Sequence, residues 1–234
     1  MVQLEFSDEF VVLFVCTGNI CRSPVAEQLL RVQTEPLSGL IATSSAGTYA
    51  RPGQVMTEQA AALSRSYGGD PSQHRASELT LARVERSNLI VTMTREHRGE
   101  VVSMLPRASR KTFTLREFDR LVRTYRDLEP EAWAKPRGAS AAALNSFVLD
   151  VGAKRGFSTA VLPADDDIVD PYRRSQDIYD QAGSLISQSI GRISEAILNM
   201  TLLEAERRRY EVSQMDRIVP DQSRSAQQRW GNDD

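Results

Sequence analysis

The chain has 234 residues, 41% of them hydrophobic, which is enough to bury the core of one full domain. Its formal net charge of −2 gives no signature of nucleic-acid binding, and no apolar run approaches the ~20 residues of a transmembrane helix. Residues 1–9 lack the apolar stretch of a secretory signal, and two cysteines in one short segment are not a disulfide framework. We therefore expect a soluble, cytoplasmic monomer that binds neither nucleic acid nor membrane.

The first predicted element is a buried strand that runs into a short loop. Residues 10–15 (Phe-Val-Val-Leu-Phe-Val) are too few for the core of a helix and rich in valine, which favours a strand buried on both faces. Pro24 suits the first position of a helix, with Ser23 as its N-cap. Residues 16–23 therefore lie between a strand end and a helix start, where backbone N–H groups and the helix dipole favour an anion.

The residue types of this loop fit a phosphate held against a cysteine sulfur. Gly18 is predicted to adopt a backbone conformation closed to other residues, and Asn19 tolerates left-handed geometry. The field that binds phosphate beside Cys16 also favours the thiolate, which is the nucleophilic form. Arg22 offers a planar fork for two phosphate oxygens, and Ser23 can hydrogen-bond the sulfur. The alternative, a buried core cysteine and a surface arginine, is disfavoured by the preceding strand and the Ser-Pro helix start.

Further along the chain, predicted strands and helices alternate. The strands lie near residues 10–15, 40–44, 88–93 and 111–114, and the helices near residues 24–33, 55–67, 95–104 and 115–126. This alternation predicts an α/β fold with a parallel sheet, which binds ligands at the carboxyl ends of its strands. A last helix is predicted over about residues 175–207. Its apolar stripe indicates core packing and consists of Tyr179, Ala182, Ile186, Ile190, Ile193 and Ile197.

These residues resemble the low-molecular-weight protein tyrosine phosphatases. Residues 12–27 follow the N-terminal signature of that family almost throughout. Later segments similar to its motifs are residues 44–48, 74–76, 79–80, 88–93, 95–96 and 170–172. The resemblance covers about residues 10–118 and 165–200. It implies a three-layer fold, with a doubly wound, four-stranded parallel sheet, helices on both faces and the phosphate loop after the first strand.

The resemblance also implies a mechanism. Cys16 attacks phosphorus while Arg22 and the loop N–H groups hold the equatorial oxygens. Asp170 protonates the leaving phenolate and then activates the water that hydrolyses the cysteinyl phosphate. The substrate is a phosphotyrosine-containing protein, and no metal or other cofactor is needed. The phosphate-binding loop comprises Thr17, Gly18, Asn19, Ile20, Cys21 and Ser23, and the residues that brace it by hydrogen bonds are Asn19, Ser23, Ser45 and His74.

Other roles remain open for the acid and for the substrate. An Asp-Pro step often only starts a turn, and residues 165–167 are three rival aspartates, although Tyr172 and the following helix favour Asp170. Protein-arginine phosphatases of the same fold carry threonine where this chain has Ile20, so the isoleucine favours an aromatic ring. Related arsenate reductases need further cysteines that are absent from this sequence. A binding protein without turnover is the remaining alternative, against which the complete set of catalytic residues argues.

The predicted substrate mouth departs from the family pattern. Family members often have two adjacent tyrosines after Asp-Pro, whereas here Tyr172 is followed by Arg173 and Arg174. Tyr49 is displaced relative to the usual aromatic residue, and Arg51 lies nearer its place. We expect the two tyrosines to line the mouth. The arginines either favour acidic phosphopeptides or are simply solvated charges.

Two further features follow from the resemblance. In relatives a cysteine at the position of Cys21 forms a reversible disulfide with the nucleophile and protects it from over-oxidation; the alternative is that Cys21 only packs. Residues 119–164 are longer than the usual family connection. They are either a tolerated surface insertion, which we favour, or a lid or partner surface. A helix over about 139–154 is expected to cover one side of the fold with Ala142, Leu144, Phe147, Val148 and Val151.

We expect residues 1–207 to form the phosphatase domain and residues 208–234 a disordered tail.

Overall fold

The fold is built on a four-stranded parallel sheet, seen in a computed structural model that describes residues 9–157 and 162–202. The strands are β1 (Phe10–Cys16), β2 (Ile41–Gly47), β3 (Leu89–Thr92) and β4 (Thr112–Thr114). Their order in the sheet is β2-β1-β3-β4, so β1 is central and β3 lies beside it. The predicted strands are confirmed. Buried valine, isoleucine and phenylalanine side chains dominate the central pair, β1 and β3.

Helices flank both faces of the sheet. They are α1 (Arg22–Gln33), α2 (Glu58–Ser66), α3 (Leu81–Arg86), α4 (Arg95–Met104), α5 (Leu115–Leu128), α6 (Pro130–Trp133), α7 (Ala141–Gly152) and α8 (Gln176–Thr201). The short α3 was not predicted, since six residues are too few to show a helical period. Of the helices that the structure describes, none combines the length and hydropathy needed to cross a membrane.

The two faces of β1 bury different sets of side chains. Val12 and Phe14 belong to the large core that includes α1, α5, α7 and α8. Leu13 and Val15 point to the opposite side, where they pack with Val101 of α4 and other apolar residues. The prediction of a doubly wound, three-layer α/β fold is therefore confirmed.

Helix α1 starts earlier than predicted. It begins at Arg22, and Cys21 is its N-cap without any side-chain capping bond, so Ser23 is not the cap and Pro24 is not the first helical residue. Pro24 still lies in the first turn, where the missing N–H breaks no helical hydrogen bond. The Ser23 hydroxyl instead contacts the Cys16 sulfur, which leaves the helix terminus open toward the loop.

The tight backbone positions also differ from the prediction. Asn19 adopts the left-handed conformation, with a φ of 53°. Gly18 lies outside that region, and a Cβ added there makes ordinary contact with Ile20 at 3.5 Å. The close approach is at Gly47, where a Cβ would lie 2.4 Å from the Thr17 carbonyl oxygen. The expectation for Gly18 was therefore wrong. The position near the loop where only glycine fits is Gly47, at the end of β2.

The segment between β4 and α8 contributes to the main core. The predicted helix within residues 139–154 is confirmed as α7. Its buried side chains are Leu144, Phe147, Val148 and Val151, and they join the same core as β1 and α8. Ala142 is exposed, so its predicted place on the covering face was wrong, because it lies on the opposite side of the helix.

Helix α8 buries the whole of its predicted apolar stripe. It ends at Thr201. The predicted extension over residues 203–207 and the predicted tail at residues 208–234 lie outside the described residues.

Candidate active site

A cavity of about 370 Å³ opens at the carboxyl end of β1. It is lined by Cys16, Thr17, Gly18, Ile20, Cys21, Arg22, Tyr49, Arg51, Gln54, Asp170, Tyr172 and Arg173. The structure thus brings the predicted nucleophile, arginine and acid to one cavity, together with the two predicted mouth tyrosines. The predicted bracing residues Asn19, Ser23, Ser45 and His74 are not among the lining residues and lie behind the loop.

The loop presents backbone donors toward an anion. In the part of the chain that the structure describes, no backbone carbonyl accepts a hydrogen bond from the N–H groups of residues 18–21. Helix α1 begins directly after them, so its N-terminal dipole adds positive potential at the same place. Unpaired N–H groups at a helix N-terminus form an anion site, which suits the three oxygens of a phosphoryl group.

Arg22 is held in place by the protein while keeping a donor free. It is only 4% exposed, and one terminal nitrogen donates to the Ile168 carbonyl at 3.1 Å. The other lies 2.9 Å from Asp170 Oδ2. Its Nε is buried and has no hydrogen-bond partner in the described protein. Arg22 also lines the cavity, where its guanidinium can hold a phosphate oxygen.

A directed chain of hydrogen bonds ends at the Cys16 sulfur. Asn19 Nδ2 donates to Ser23 Oγ at 3.0 Å and to Ser45 Oγ at 2.8 Å. Since Ser23 Oγ accepts from Asn19, its own proton is available to the sulfur, which lies 2.9 Å away. Ser45 in turn donates to the buried carboxylate of Glu27 at 2.5 Å. This chain supplies the sulfur with a donor that favours a negative charge there.

Asn19, the loop residue with a left-handed backbone, also contacts residues that follow β2. The Asn19 carbonyl oxygen lies 2.7 Å from His74 Nε2, and Asn19 Oδ1 accepts from the Ser77 N–H at 2.9 Å. The Asn19 side chain is fully buried, and both its amide nitrogen and its amide oxygen form hydrogen bonds inside the protein. His74 and Ser45 therefore lie where the sequence predicted bracing residues.

His97 is a site residue that the sequence analysis missed. It is 4% exposed, and its Nε2 lies 2.9 Å from Thr17 Oγ1 while its Nδ1 lies 2.8 Å from Thr94 Oγ1. Burial, followed by the nearby Arg22 cation, lowers the pKa of His97 to about 4, so the ring is neutral at physiological pH. The available signal was the Thr-x-x-His spacing at the start of α4, directly after the strand that neighbours β1.

Asp170 is the aspartate that reaches the cavity. Its half-exposed carboxylate pairs with Arg22, and Oδ1 accepts from the Tyr172 N–H at 3.2 Å. The three rival carboxylates have other partners: Asp165 accepts from the Leu162 N–H, Asp166 pairs with Arg120, and Asp167 pairs with Arg95. The geometry therefore separates Asp170 from its rivals.

The segment that carries Asp170 is tied to the end of β3. The Ile168 N–H donates to the Met93 carbonyl at 2.8 Å, and the Arg95 N–H donates to Asp167 Oδ1 at 2.8 Å. These contacts fix the chain shortly before Asp170. They place the acid over the loop from a position far away in sequence.

Cys21 shares the cavity but differs from Cys16 in its surroundings. Its sulfur lies 3.4 Å from Thr57 Oγ1 and 3.7 Å from the Tyr179 hydroxyl. Burial raises the pKa of Cys21, and the nearby Cys16 and Asp170 charges act in the same direction. Both cysteines are free thiols. Tyr179, expected only to pack in the core, therefore also contacts the loop.

The comparisons with known proteins agree with this geometry. The model of the low molecular weight phosphotyrosine protein phosphatase family matches residues 11–131, just over half of the chain. The chain belongs to this phosphatase family. A protein-arginine-phosphatase from Geobacillus stearothermophilus is 36% identical over 107 residues, which cover 46% of this chain and 70% of the relative. The low molecular weight protein-tyrosine-phosphatase Etp of Escherichia coli is 35% identical over 112 residues, covering 48% and 71% respectively.

A solved member of this phosphatase family extends the match beyond residue 131. The low molecular weight protein tyrosine phosphatase from T. tengcongensis superposes with a TM-score of 0.57 at 26% identity, and covers 80% of this chain and 99% of its own. The family model ends before Asp170, so the assignment of the acid depends on the cavity geometry described above.

Proposed function

We propose that this phosphatase hydrolyses phosphotyrosine in protein substrates through a phosphate bound covalently to Cys16. One observation carries the proposal. The Cys16 sulfur lies 2.9 Å from a hydroxyl donor and lines one cavity with Arg22 and with a loop whose N–H groups at residues 18–21 have no carbonyl partner among the described residues. This set of donors matches a phosphoryl group under attack.

In the first step the Cys16 thiolate forms a bond to phosphorus as the bond from phosphorus to the phenolic oxygen breaks. The loop N–H groups and Arg22 hold the equatorial oxygens. Asp170 donates its proton to the departing phenolate, so tyrosine leaves in its neutral form. Because Asp170 pairs with Arg22 in the free enzyme, the incoming phosphate takes over that arginine and leaves the acid to the leaving group.

In the second step water attacks the phosphorus of the cysteinyl phosphate. The Asp170 carboxylate takes a proton from the water, and the bond between sulfur and phosphorus breaks. The electron pair returns to the Cys16 sulfur, where the Ser23 hydroxyl stabilises it at 2.9 Å. Inorganic phosphate then leaves and the enzyme returns to its starting state.

Phosphoarginine is the second candidate substrate, because the Geobacillus stearothermophilus relative is a protein-arginine-phosphatase. Ile20 is an apolar residue of the cavity lining, and Tyr49 and Tyr172 also line it. These apolar and aromatic surfaces fit the ring of phosphotyrosine better than a charged guanidinium group. They favour the tyrosine substrate.

Matched peptides that carry phosphotyrosine or phosphoarginine at the same position test this choice. We expect the parent enzyme to release phosphate mainly from the phosphotyrosine peptide, and Ile20→Thr to shift the ratio of kcat/KM toward phosphoarginine. A parent enzyme that prefers phosphoarginine would contradict the proposal. A protein that binds both peptides and cleaves neither, nor para-nitrophenyl phosphate, would be a binding module instead.

We further propose that the enzyme works as a cytoplasmic monomer. The two free thiols of the loop support a reducing compartment. Sedimentation equilibrium of the purified chain checks the oligomeric state, and a dimer at micromolar concentration would contradict the proposal.

A further inference from the structure

We propose that the mouth of this cavity selects phosphotyrosines that are flanked by acidic residues, an inference that rests on the function proposed above. Arg51 and Arg173 both line the cavity that contains Cys16. They come from different loops, one after β2 and one before α8, so cationic groups enter the mouth from two separate segments. Arg174, which follows directly, is exposed and is not part of the lining.

The two arginines carry uncompensated charge. Among residues 9–157 and 162–202, no carboxylate lies within 4.0 Å of a guanidinium nitrogen of Arg51 or Arg173. Arg22, deeper in the cavity, is paired with Asp170. Both side chains are exposed, and an unpaired cation at the mouth of a cleft attracts an anionic partner.

Two aspartates close to the mouth in sequence form ion pairs with arginines outside it. Asp166 pairs with Arg120, and Asp167 pairs with Arg95. Both aspartates precede Asp170 on the same segment, but their arginine partners do not line the cavity. Asp170, the carboxylate that does line the cavity, pairs with Arg22, so the charges of Arg51 and Arg173 are left for the substrate although the whole chain carries a formal net charge of −2.

Both arginines are positioned by their loops. The Arg51 carbonyl accepts from the Gln54 N–H at 3.2 Å in a turn that includes Gly53, whose φ is 86°. Arg173 has a φ of 58°, which is strained for a residue with a side chain. Its guanidinium lies 5.1 Å from the centre of the Tyr172 ring. Strained conformations of this kind cluster at binding sites.

This arrangement gives each part of the substrate a partner. The phosphoryl group lies at the loop, the phenyl ring passes between Tyr49 and Tyr172, and the adjoining peptide residues meet Arg51 and Arg173. A glutamate next to the phosphotyrosine can form an ion pair there. One partly exposed ion pair changes affinity by about 1.4- to fivefold, so two pairs predict a preference of about two- to 25-fold.

The test compares two phosphotyrosine peptides that differ only in glutamate or glutamine on both sides of the phosphotyrosine. We expect the parent enzyme to show a ratio of kcat/KM of about two to 25 in favour of the glutamate peptide. The double variant Arg51→Gln/Arg173→Gln is expected to bring the ratio close to one, and the matched control Arg174→Gln to retain the parent ratio. Because each ratio is taken within one variant, a general change in activity cancels. Salt of about 0.5 M should reduce the parent ratio by screening.

Two results overturn the inference alone: equal kcat/KM values for the two peptides in the parent enzyme, or an unchanged ratio in the double variant. An equal loss of the ratio in Arg174→Gln would also overturn it, since a diffuse charge effect would then explain the preference. If neither the parent enzyme nor any variant releases phosphate from either peptide while the chain remains folded, the proposed function is wrong. The inference, which rests on that function, is then wrong as well.

Discussion

At the scale of single residues, the site depends on which proton donor faces the leaving group. Asp170 is the aspartate of its segment that lines the cavity, whereas Asp165 bonds the Leu162 N–H at the surface. We expect Asp170→Asn to reduce kcat/KM, which reports the transfer of phosphate to Cys16, by about 10²- to 10⁴-fold for alkyl-substituted phenyl phosphates. A substrate with a strongly acidic phenol should lose much less, because its phenolate needs no proton.

Asp165→Asn is the matched control for this experiment and should retain the parent rates. The measurement is steady-state kcat/KM across a series of aryl phosphates with leaving groups of graded acidity. Equal losses for good and poor leaving groups in Asp170→Asn would argue against its role as proton donor.

His97 makes the fold sensitive to acid in a defined range. Burial lowers its pKa from 6.5 to about 4 in the folded chain, while the unfolded chain keeps the ordinary value. Between these values the unfolded state binds more protons, so stability falls as pH decreases from 6.5 toward 4. The full shift corresponds to roughly 3 kcal/mol. The charged groups that face the ring are Arg22, Asp170 and Asp167, and the first opposes protonation while the two carboxylates favour it.

Urea unfolding at several pH values checks this expectation. The parent chain should lose stability more steeply than His97→Gln between about pH 6.5 and 4, whatever the absolute stability of the variant. Parallel pH profiles for the two proteins would show that His97 is not the group responsible.

Cys21 has a predicted redox role that the structure leaves to experiment. Peroxide converts the Cys16 thiolate to sulfenic acid, and the Cys21 thiol then displaces water to form a disulfide. We expect thiol reductant to restore most activity to the peroxide-treated parent and much less to Cys21→Ser, whose hydroxyl can still bond Thr57. Equal recovery of both proteins would indicate that Cys21 only packs.

At the scale of elements, helix α7 ties the residues between β4 and α8 into the core. Phe147 is 1% exposed, and its ring meets that of Tyr125 at a centroid distance of 5.7 Å. Phe147→Ala is therefore expected to lower the free energy of unfolding by about 3–5 kcal/mol. Leu149 on the same helix is 55% exposed, and Leu149→Ala should change stability by less than about 0.5 kcal/mol.

Chemical unfolding of the two alanine variants measures this difference. The activity per folded molecule should remain at the parent value in both, because no residue of α7 lines the cavity. Similar stabilities of Phe147→Ala and Leu149→Ala would mean that α7 is a dispensable surface insertion.

The elements show what local sequence patterns can and cannot predict. β1 and α7 were predictable because each carries a clear apolar pattern over several residues. The start of α1 was mispredicted, since the capping rules assigned Ser23 a bond to the backbone, whereas its hydroxyl bonds the Cys16 sulfur. A functional contact thus replaced the usual helix cap.

At the scale of the whole molecule, the site forms where distant segments meet at the carboxyl ends of β1 and β3. The loop residues and Arg22 were predictable, because they are contiguous in sequence and follow a buried strand. The contact of His97 with Thr17 and the contact of Cys21 with Tyr179 were not, because they join residues 80 and 158 positions apart. Periodicity carries no information about such pairs, which depend on strand order.

The sheet order explains why these pairs form. β3 lies directly beside β1, with Val15 opposite Thr92, so the start of α4 adjoins the loop. The segment before α8 then reaches the same edge through the bond between Ile168 and Met93. The proposed catalysis requires these long-range contacts, since the proposed acid Asp170 and the proposed nucleophile Cys16 are far apart in the sequence.

The most direct test is to locate the phosphate during turnover. Rapid quenching of the enzyme with an aryl phosphate whose phenol is strongly acidic, followed by peptide mass spectrometry, should find one phosphoryl group on Cys16. Asp170→Asn should accumulate it, because this leaving group needs no proton while hydrolysis of the cysteinyl phosphate is slowed. Cys16→Ser should show neither a burst nor turnover. A parent enzyme that turns over without phosphorylated Cys16, or with the phosphoryl group on another residue, would contradict the account.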